Sequence, residues 1–151
     1  MLTVLKSITE LPEYSKGSEG LTVSIFSFSY RKSIPFDKSG NGGGYVFDCR
    51  ALPNPGQYDE YKSLNGRDEE VNDFFLQYPE AEQYLSHIFA IIDQSVDTYL
   101  SRDYTRLMLS FGCTGGRHRS VYCAEKAARH IREKYAGLVT VVVFHLEQGK
   151  F

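Results

Sequence analysis

The chain has 151 residues, a formal net charge of −2 at pH 7 and 42% hydrophobic residues, enough for one domain with its own core. No apolar run approaches a membrane span, no signal peptide is expected at the N-terminus, and the slight negative charge excludes a protein that holds nucleic acid by bulk charge alone. Cys49, Cys113 and Cys123 are odd in number and lack zinc-ligand spacing, so no disulfide framework, metal site or cofactor is expected, and a reducing cytoplasm is the natural compartment.

Residues 1–20 read as a lead-in or linker, or as the junction to a lost upstream domain. Leu2, Leu5 and Ile8 share one side of a short helix, but Pro12 and the stretch from Ser15 to Gly20 interrupt it. A single domain is expected over residues 21–151. Leu21 to Tyr30 alternates as a first strand. Phe26 and Phe28 fall out of phase with Ile25, which calls for a bulge or for burial on both faces. Arg31 stands just past its carboxyl end, where open α/β sheets place ligand contacts; a solvated basic turn is the competing account.

Gly40 to Gly44 forms a flexible turn before a second strand, Tyr45 to Arg50. Asp48 and Arg50 share a face there by the two-residue period. They read either as a structural ion pair or as contacts for sugar hydroxyls and phosphate. After the stiff turn of Pro53-Asn54-Pro55-Gly56 and a loop with the turn signal Asn65-Gly66, Asp68 is placed to cap a helix carrying Val71, Phe74 and Phe75. Pro79 marks a break. Ala81, Tyr84, Leu85, Ile88, Ile92, Val96 and Tyr99 then recur at helical steps to about Leu100, a core stripe rather than a cofactor box.

Leu107, Met108, Leu109 and Phe111 suit a buried third strand. Gly112-Cys113-Thr114-Gly115-Gly116 breaks it, and helical spacing resumes from about Arg117 to Tyr135, with Val121, Ala124, Ala127, Ala128 and Ile131 inward. Lys126, Arg129, Arg132 and Lys134 make the outside basic, as a solvated face or an RNA contact. Gly137 ends the helix, and Leu138 to Leu146 is a last strand. Alternating strands and helices give an α/β fold, a small, mostly parallel sheet with helices packed on it.

A strand, a glycine-rich turn and a helix start make an anion site for a physical reason. The first N–H groups of a helix lack internal partners, and the macrodipole adds partial positive charge. Gly115 and Gly116 let the backbone bend and approach a ligand. Arg117, His118 and Arg119 add donors, Arg119 with a fork that fits two phosphate oxygens, and Thr114 and Ser120 add hydroxyls. A phosphate ester is expected between Cys113 and Ser120; an ordinary tight turn is the bland account.

Cys113 and Arg119 have five residues between them and Ser120 follows, so the loop resembles the C-x5-R-[ST] signature of cysteine phosphatases. That resemblance implies Cys113 as thiolate nucleophile, Arg119 on the phosphoryl oxygens and Ser120 assisting thiolate departure. A general acid is also needed; Asp37 and Asp48 are the substitutes available.

The fuller string from Gly112 to Tyr122 is similar to the C-terminal domain of the RapZ family of bacterial RNase adapters. Phe26-Ser27-Phe28-Ser29-Tyr30-Arg31, Val46-Phe47-Asp48-Cys49-Arg50, Leu52-Pro53-Asn54-Pro55 and Leu64-Asn65-Gly66-Arg67-Asp68 carry the same resemblance. It implies a regulatory domain that binds glucosamine 6-phosphate or a similar phosphorylated sugar through Arg31, Asp48, Thr105, Cys113, Thr114, Gly115, His118 and Arg119. Arg31 stands where that family has a lysine, and Gly56 where a histidine supplies one sugar contact. The family's full-length proteins bind a small regulatory RNA. No G-x4-G-K-[ST] nucleotide loop occurs here, and Glu147 to Phe151 carries one lysine in place of a basic tail, which weakens the expectation of RNA binding. A protein partner remains an expectation of the resemblance.

Overall fold

The computed structural model describes residues 20–147; the expected lead-in at residues 1–19 lies outside the described residues. Four strands, β1 (Leu21–Ser29), β2 (Tyr45–Asp48), β3 (Arg106–Cys113) and β4 (Val139–His145), form one parallel sheet in the order β2-β3-β1-β4. Three helices follow the expected places: α1 (Glu69–Leu76), α2 (Pro79–Ser101) and α3 (Arg119–Lys134). Among the described residues, no helix is long and apolar enough to cross a membrane.

Register decides which side chains meet the helices. Val23 pairs with Leu107 and Val141, and Ile25 with Leu109 and Val143, so one face is a continuous apolar row. It packs with Phe74 and Phe75 of α1, the stripe from Ala81 to Leu100 of α2, and Ala124, Ala127, Ala128 and Ile131 of α3 in one buried cluster. The alanines remove bulk between helix and sheet, so α3 lies close on β1, β3 and β4. Burying Ile131 alone contributes about 1.5–3 kcal/mol.

The out-of-phase phenylalanines of β1 resolve as burial on both faces. Both of its ladders run unbroken, so no bulge is present. Phe28 is buried outside the main cluster, and Phe26 stacks on Phe144 at 5.1 Å. This second face is crossed by the residue 31–44 connection, whose Phe36, Asp37 and Gly43 line cavities with Phe26 and Met108. β2 ends at Asp48, two residues short of the expected limit.

Asp68 occupies the cap position of α1 without capping it through its side chain. Its carboxylate instead accepts from the N–H of Asn65 at 2.7 Å, closing the Asn65-Gly66 turn.

β1 and β3 are neighbours, yet their chains leave toward opposite edges of the sheet, β1 to β2 and β3 through α3 to β4. Their carboxyl ends therefore border the crevice where α/β sheets hold ligands.

Candidate functional site

The Gly112 to Ser120 segment fills that crevice. Ser29, the last residue of β1, donates its hydroxyl to the Thr114 carbonyl at 2.6 Å and accepts from the Arg31 N–H at 3.1 Å. Tyr30 N–H donates to Cys113 O at 2.9 Å. The loop is thus tied to the strand beside it. Gly112 is required on the second face, where a Cβ would fall 2.5 Å from both the Phe28 and Tyr30 rings.

The two loop glycines do different work. Gly116 has φ +70°, and a Cβ there would meet Glu147, Ser29 and Phe28 at 2.8–3.0 Å. It makes the bend. Gly115 has no positive φ and open space where a Cβ would stand. It keeps the entrance clear. Among the described residues, the backbone N–H groups of Gly115, Gly116, His118, Arg119 and Ser120 donate to no protein acceptor; helical bonding begins with Tyr122 N–H to His118 O at 2.9 Å. Unpaired donors gathered at a helix amino end are the elements of an anion cradle.

A cavity of about 330 Å³ opens there, lined by Arg31, Asn54, Gly56, Cys113, Thr114, Gly115, Arg117, His118 and Arg119, with no acidic side chain among these described residues. Arg119 is only 7% exposed. One guanidinium nitrogen donates to the carbonyls of Arg50 at 2.7 Å and Leu52 at 3.4 Å. Anchored on carbonyls rather than in an ion pair, it keeps its charge and its other donors for the cavity.

His118 donates from Nε2 to the Tyr61 carbonyl at 2.8 Å, because a carbonyl can only accept. Burial, with Arg117 and Arg119 nearby, pushes its pKa below the ordinary imidazole value. The ring is therefore neutral near pH 7, and Nδ1 is an acceptor close to Gly56, where a Cβ would stand 3.5 Å away.

Asp48 and Arg50 pair at 2.7 Å with side chains about half exposed, and Arg50 lies 3.8 Å over the Tyr30 ring. The Arg50 hydrogen bonds hold the Asp48 carboxyl below the usual carboxylate range, with Arg119 acting in the same direction. The structural ion pair thus forms close to Arg119, and neither of its residues lines the cavity.

Several expectations are corrected by this geometry. Thr105 precedes β3 and Cys113 ends it, so at ~3.3 Å per residue the two stand about 26 Å apart. Its carbonyl serves Thr22 N–H at 3.0 Å, and it is no part of this site. Ser120 is fully buried and accepts from Cys113 Sγ at 3.2 Å; its backbone N–H, not its hydroxyl, belongs to the cradle. Arg117 lines the cavity but is pinned through its guanidinium to the Leu64 and Ser63 carbonyls at 2.7 and 2.6 Å. Asn54, which its Asn-Pro turn signal could have flagged, also lines the cavity and accepts from Gly56 N–H at 3.0 Å.

The Cys113–Ser120 contact matches the phosphatase arrangement, but neither substitute acid fits. Asp37 is absent from the lining, and hydrogen bonds from Ser39 and Gly43 hold its pKa down to about 2. Asp48 is ionised beside Arg50. Neither holds a proton to give at neutral pH.

The basic face of α3 is also largely engaged within the fold. Lys134 meets Asp93 at 2.7 Å, Arg129 meets Glu133 at 2.9 Å, Arg132 donates to the Val141 carbonyl at 3.2 Å, and Lys126 lies 5.5 Å from the Tyr122 ring centroid.

A model of the family described as the RapZ C-terminal domain matches residues 21–148. A nucleotide-binding protein of Xylella fastidiosa strain M12 is 41% identical over 130 residues, covering 86% of this chain and 42% of that protein. One from Xanthomonas campestris pv. campestris strain B100 is 37% identical over 137 residues, covering 90% of this chain and 46% of that protein. The chain thus spans less than half the length of these relatives.

Proposed function

The chain belongs to the RapZ C-terminal domain family, and from that premise we propose that it is a phosphosugar-binding sensor or adapter domain that holds its ligand's phosphate in the Cys113 to Ser120 loop. The observation that carries this reading is the cradle itself: N–H groups of Gly115, Gly116, His118, Arg119 and Ser120 that meet no protein acceptor among the described residues, beside a cation tethered at the cavity wall. A phosphate dianion satisfies both the donors and the buried charge of Arg119. Arg31 stands at the mouth as a second, exposed cation.

The sugar is read by the remaining groups. His118 Nδ1 accepts from a hydroxyl or ammonium, while Asp48, ionised beside Arg50, accepts from another. An amino sugar brings a sugar hydroxyl and an ammonium donor to these two acceptors, which inorganic phosphate lacks. Gly56 lies beside His118, where a Cβ would stand 3.5 Å from Nδ1 and 3.1 Å from Asn54 Oδ1.

Titration followed by NMR with glucosamine 6-phosphate, other hexosamine and hexose phosphates, a nucleoside monophosphate and inorganic phosphate tests the reading. The amides of Gly115, Gly116 and Ser120 should shift, most strongly with the amino sugar phosphates. Amides that stay in place throughout the panel would overturn it.

A further inference from the structure

Ser27, His145 and Glu125 lie outside the cavity lining and form a continuous chain of hydrogen bonds. Ser27 on β1 and His145 on β4 are register partners on the helix-covered face. Ser27 Oγ is 2.6 Å from His145 Nδ1, and His145 Nε2 is 2.6 Å from Glu125 Oε1 on α3. Ser27 is fully buried, the His145 side chain is 4% exposed, and Glu125 is 38% exposed at the outer end.

The chemistry fixes the donor at the Glu125 end. The hydrogen bond from His145 holds the Glu125 carboxyl below its ordinary range, and Arg67 and Arg132 act in the same direction. An ionised carboxylate only accepts, so Nε2 carries a proton. In the tautomer with only Nε2 protonated, Nδ1 accepts the Ser27 hydroxyl proton, and every member of the chain is satisfied. The order serine, histidine, carboxylate is that of a hydrolase triad, but a fully buried serine inside a sheet meets no substrate.

The chain lies directly behind the anion loop. Gly116 packs against Phe28, Ser29 and Glu147. Phe28 and Ser29 follow Ser27 on β1, and Glu147 follows His145 by two residues. Leu146 N–H donates to the Ser27 carbonyl at 3.0 Å. Glu125 stands on α3, five residues beyond Ser120. We propose that Ser27, His145 and Glu125 form a positioning relay that sets the amino end of α3 against the carboxyl ends of β1 and β4, and so sets the geometry of the amide cradle. The proposal rests on reading the loop as a phosphosugar site.

The test uses the full chain with 15N-labelled histidine. His145 should show the Nε2–H tautomer with a downfield, slowly exchanging ring proton, and that proton should shift on saturation with glucosamine 6-phosphate although the relay lies outside the cavity. Glu125→Ala should abolish the resonance and weaken glucosamine 6-phosphate binding roughly tenfold, the scale of lost orienting partners elsewhere. Glu125→Gln, which retains an acceptor, should bind within about twofold of the wild type, a rescue that mere loss of helix stability would not produce. Ser27→Ala provides a second break in the chain from its buried end. If the wild type binds neither glucosamine 6-phosphate nor inorganic phosphate, the site reading fails and takes the relay's role with it. If the wild type binds and both breaks bind equally well, or His145 is the Nδ1–H tautomer, the relay alone is overturned.

Discussion

Adding one methyl group at each of the two loop glycines should separate folding from binding. At Gly116 the backbone has φ +70°, which costs a residue with a Cβ about 1–2 kcal/mol. The added carbon would also stand 2.9 Å from Ser29 N and 3.0 Å from Phe28 C. These are backbone atoms of a central strand that cannot rotate aside, and such overpacking adds about 1–3 kcal/mol. Gly116→Ala should therefore lose about 2–5 kcal/mol, a large share of the roughly 5–15 kcal/mol that holds a domain together. Urea unfolding should show this as a midpoint lower by about 1–3 M. Gly115→Ala meets nothing within 4 Å and needs no left-handed backbone, so its unfolding midpoint should equal or slightly exceed the wild type's. Its methyl group enters the cavity mouth, and glucosamine 6-phosphate affinity measured by calorimetry should fall about tenfold or more, ~1.4 kcal/mol. Unchanged binding by Gly115→Ala, or full stability in Gly116→Ala, would refute this division of labour.

Arg119→Lys keeps the charge but cannot hold the Arg50 carbonyl and a phosphate at once; the loss of a charge-assisted bond should weaken binding by about 1.5–3 kcal/mol in calorimetry. Thr105→Ala, at the far end of β3, should leave affinity within experimental error, and a tenfold loss would show that the site is misplaced. The His118 pKa lies below its unfolded value, so the unfolded chain binds the extra proton first; stability is fully present above about pH 6.5 and is lost as pH falls through the lower folded value. Urea midpoints between pH 7.5 and 5 should show that loss, and His118→Gln should flatten it. Because Asp37 and Asp48 are held ionised, p-nitrophenyl phosphate hydrolysis should be no faster with the wild type than with Cys113→Ser, and clear Cys113-dependent turnover would restore the phosphatase reading.

Much of this arrangement was legible in the sequence where a local rule governs. The α2 stripe announces itself because one helix face must be apolar whatever it packs on. The strand–turn–helix loop does so because glycines break an apolar run and helical spacing resumes within nine residues. Features set by distant partners were hidden. Whether Arg117 or Arg119 serves the cavity depends on which carbonyls come near, those of Ser63 and Leu64 for one and of Arg50 and Leu52 for the other. The His118 tautomer depends on Tyr61, 57 residues away. The resemblance points to Thr105, but a resemblance does not say at which end of a strand a residue falls. Nor does alternation along β1 distinguish a bulge from a second packed face, since only the pairing register settles that.

The tether on Arg119 has a thermodynamic corollary. A free arginine surrenders up to about 2 kcal/mol of rotamer freedom when a ligand immobilises it. Here folding has already imposed that loss by fastening the guanidinium to two carbonyls. An arriving anion would find the cation already in register, and its association would carry a smaller entropic penalty than one met by a swinging side chain.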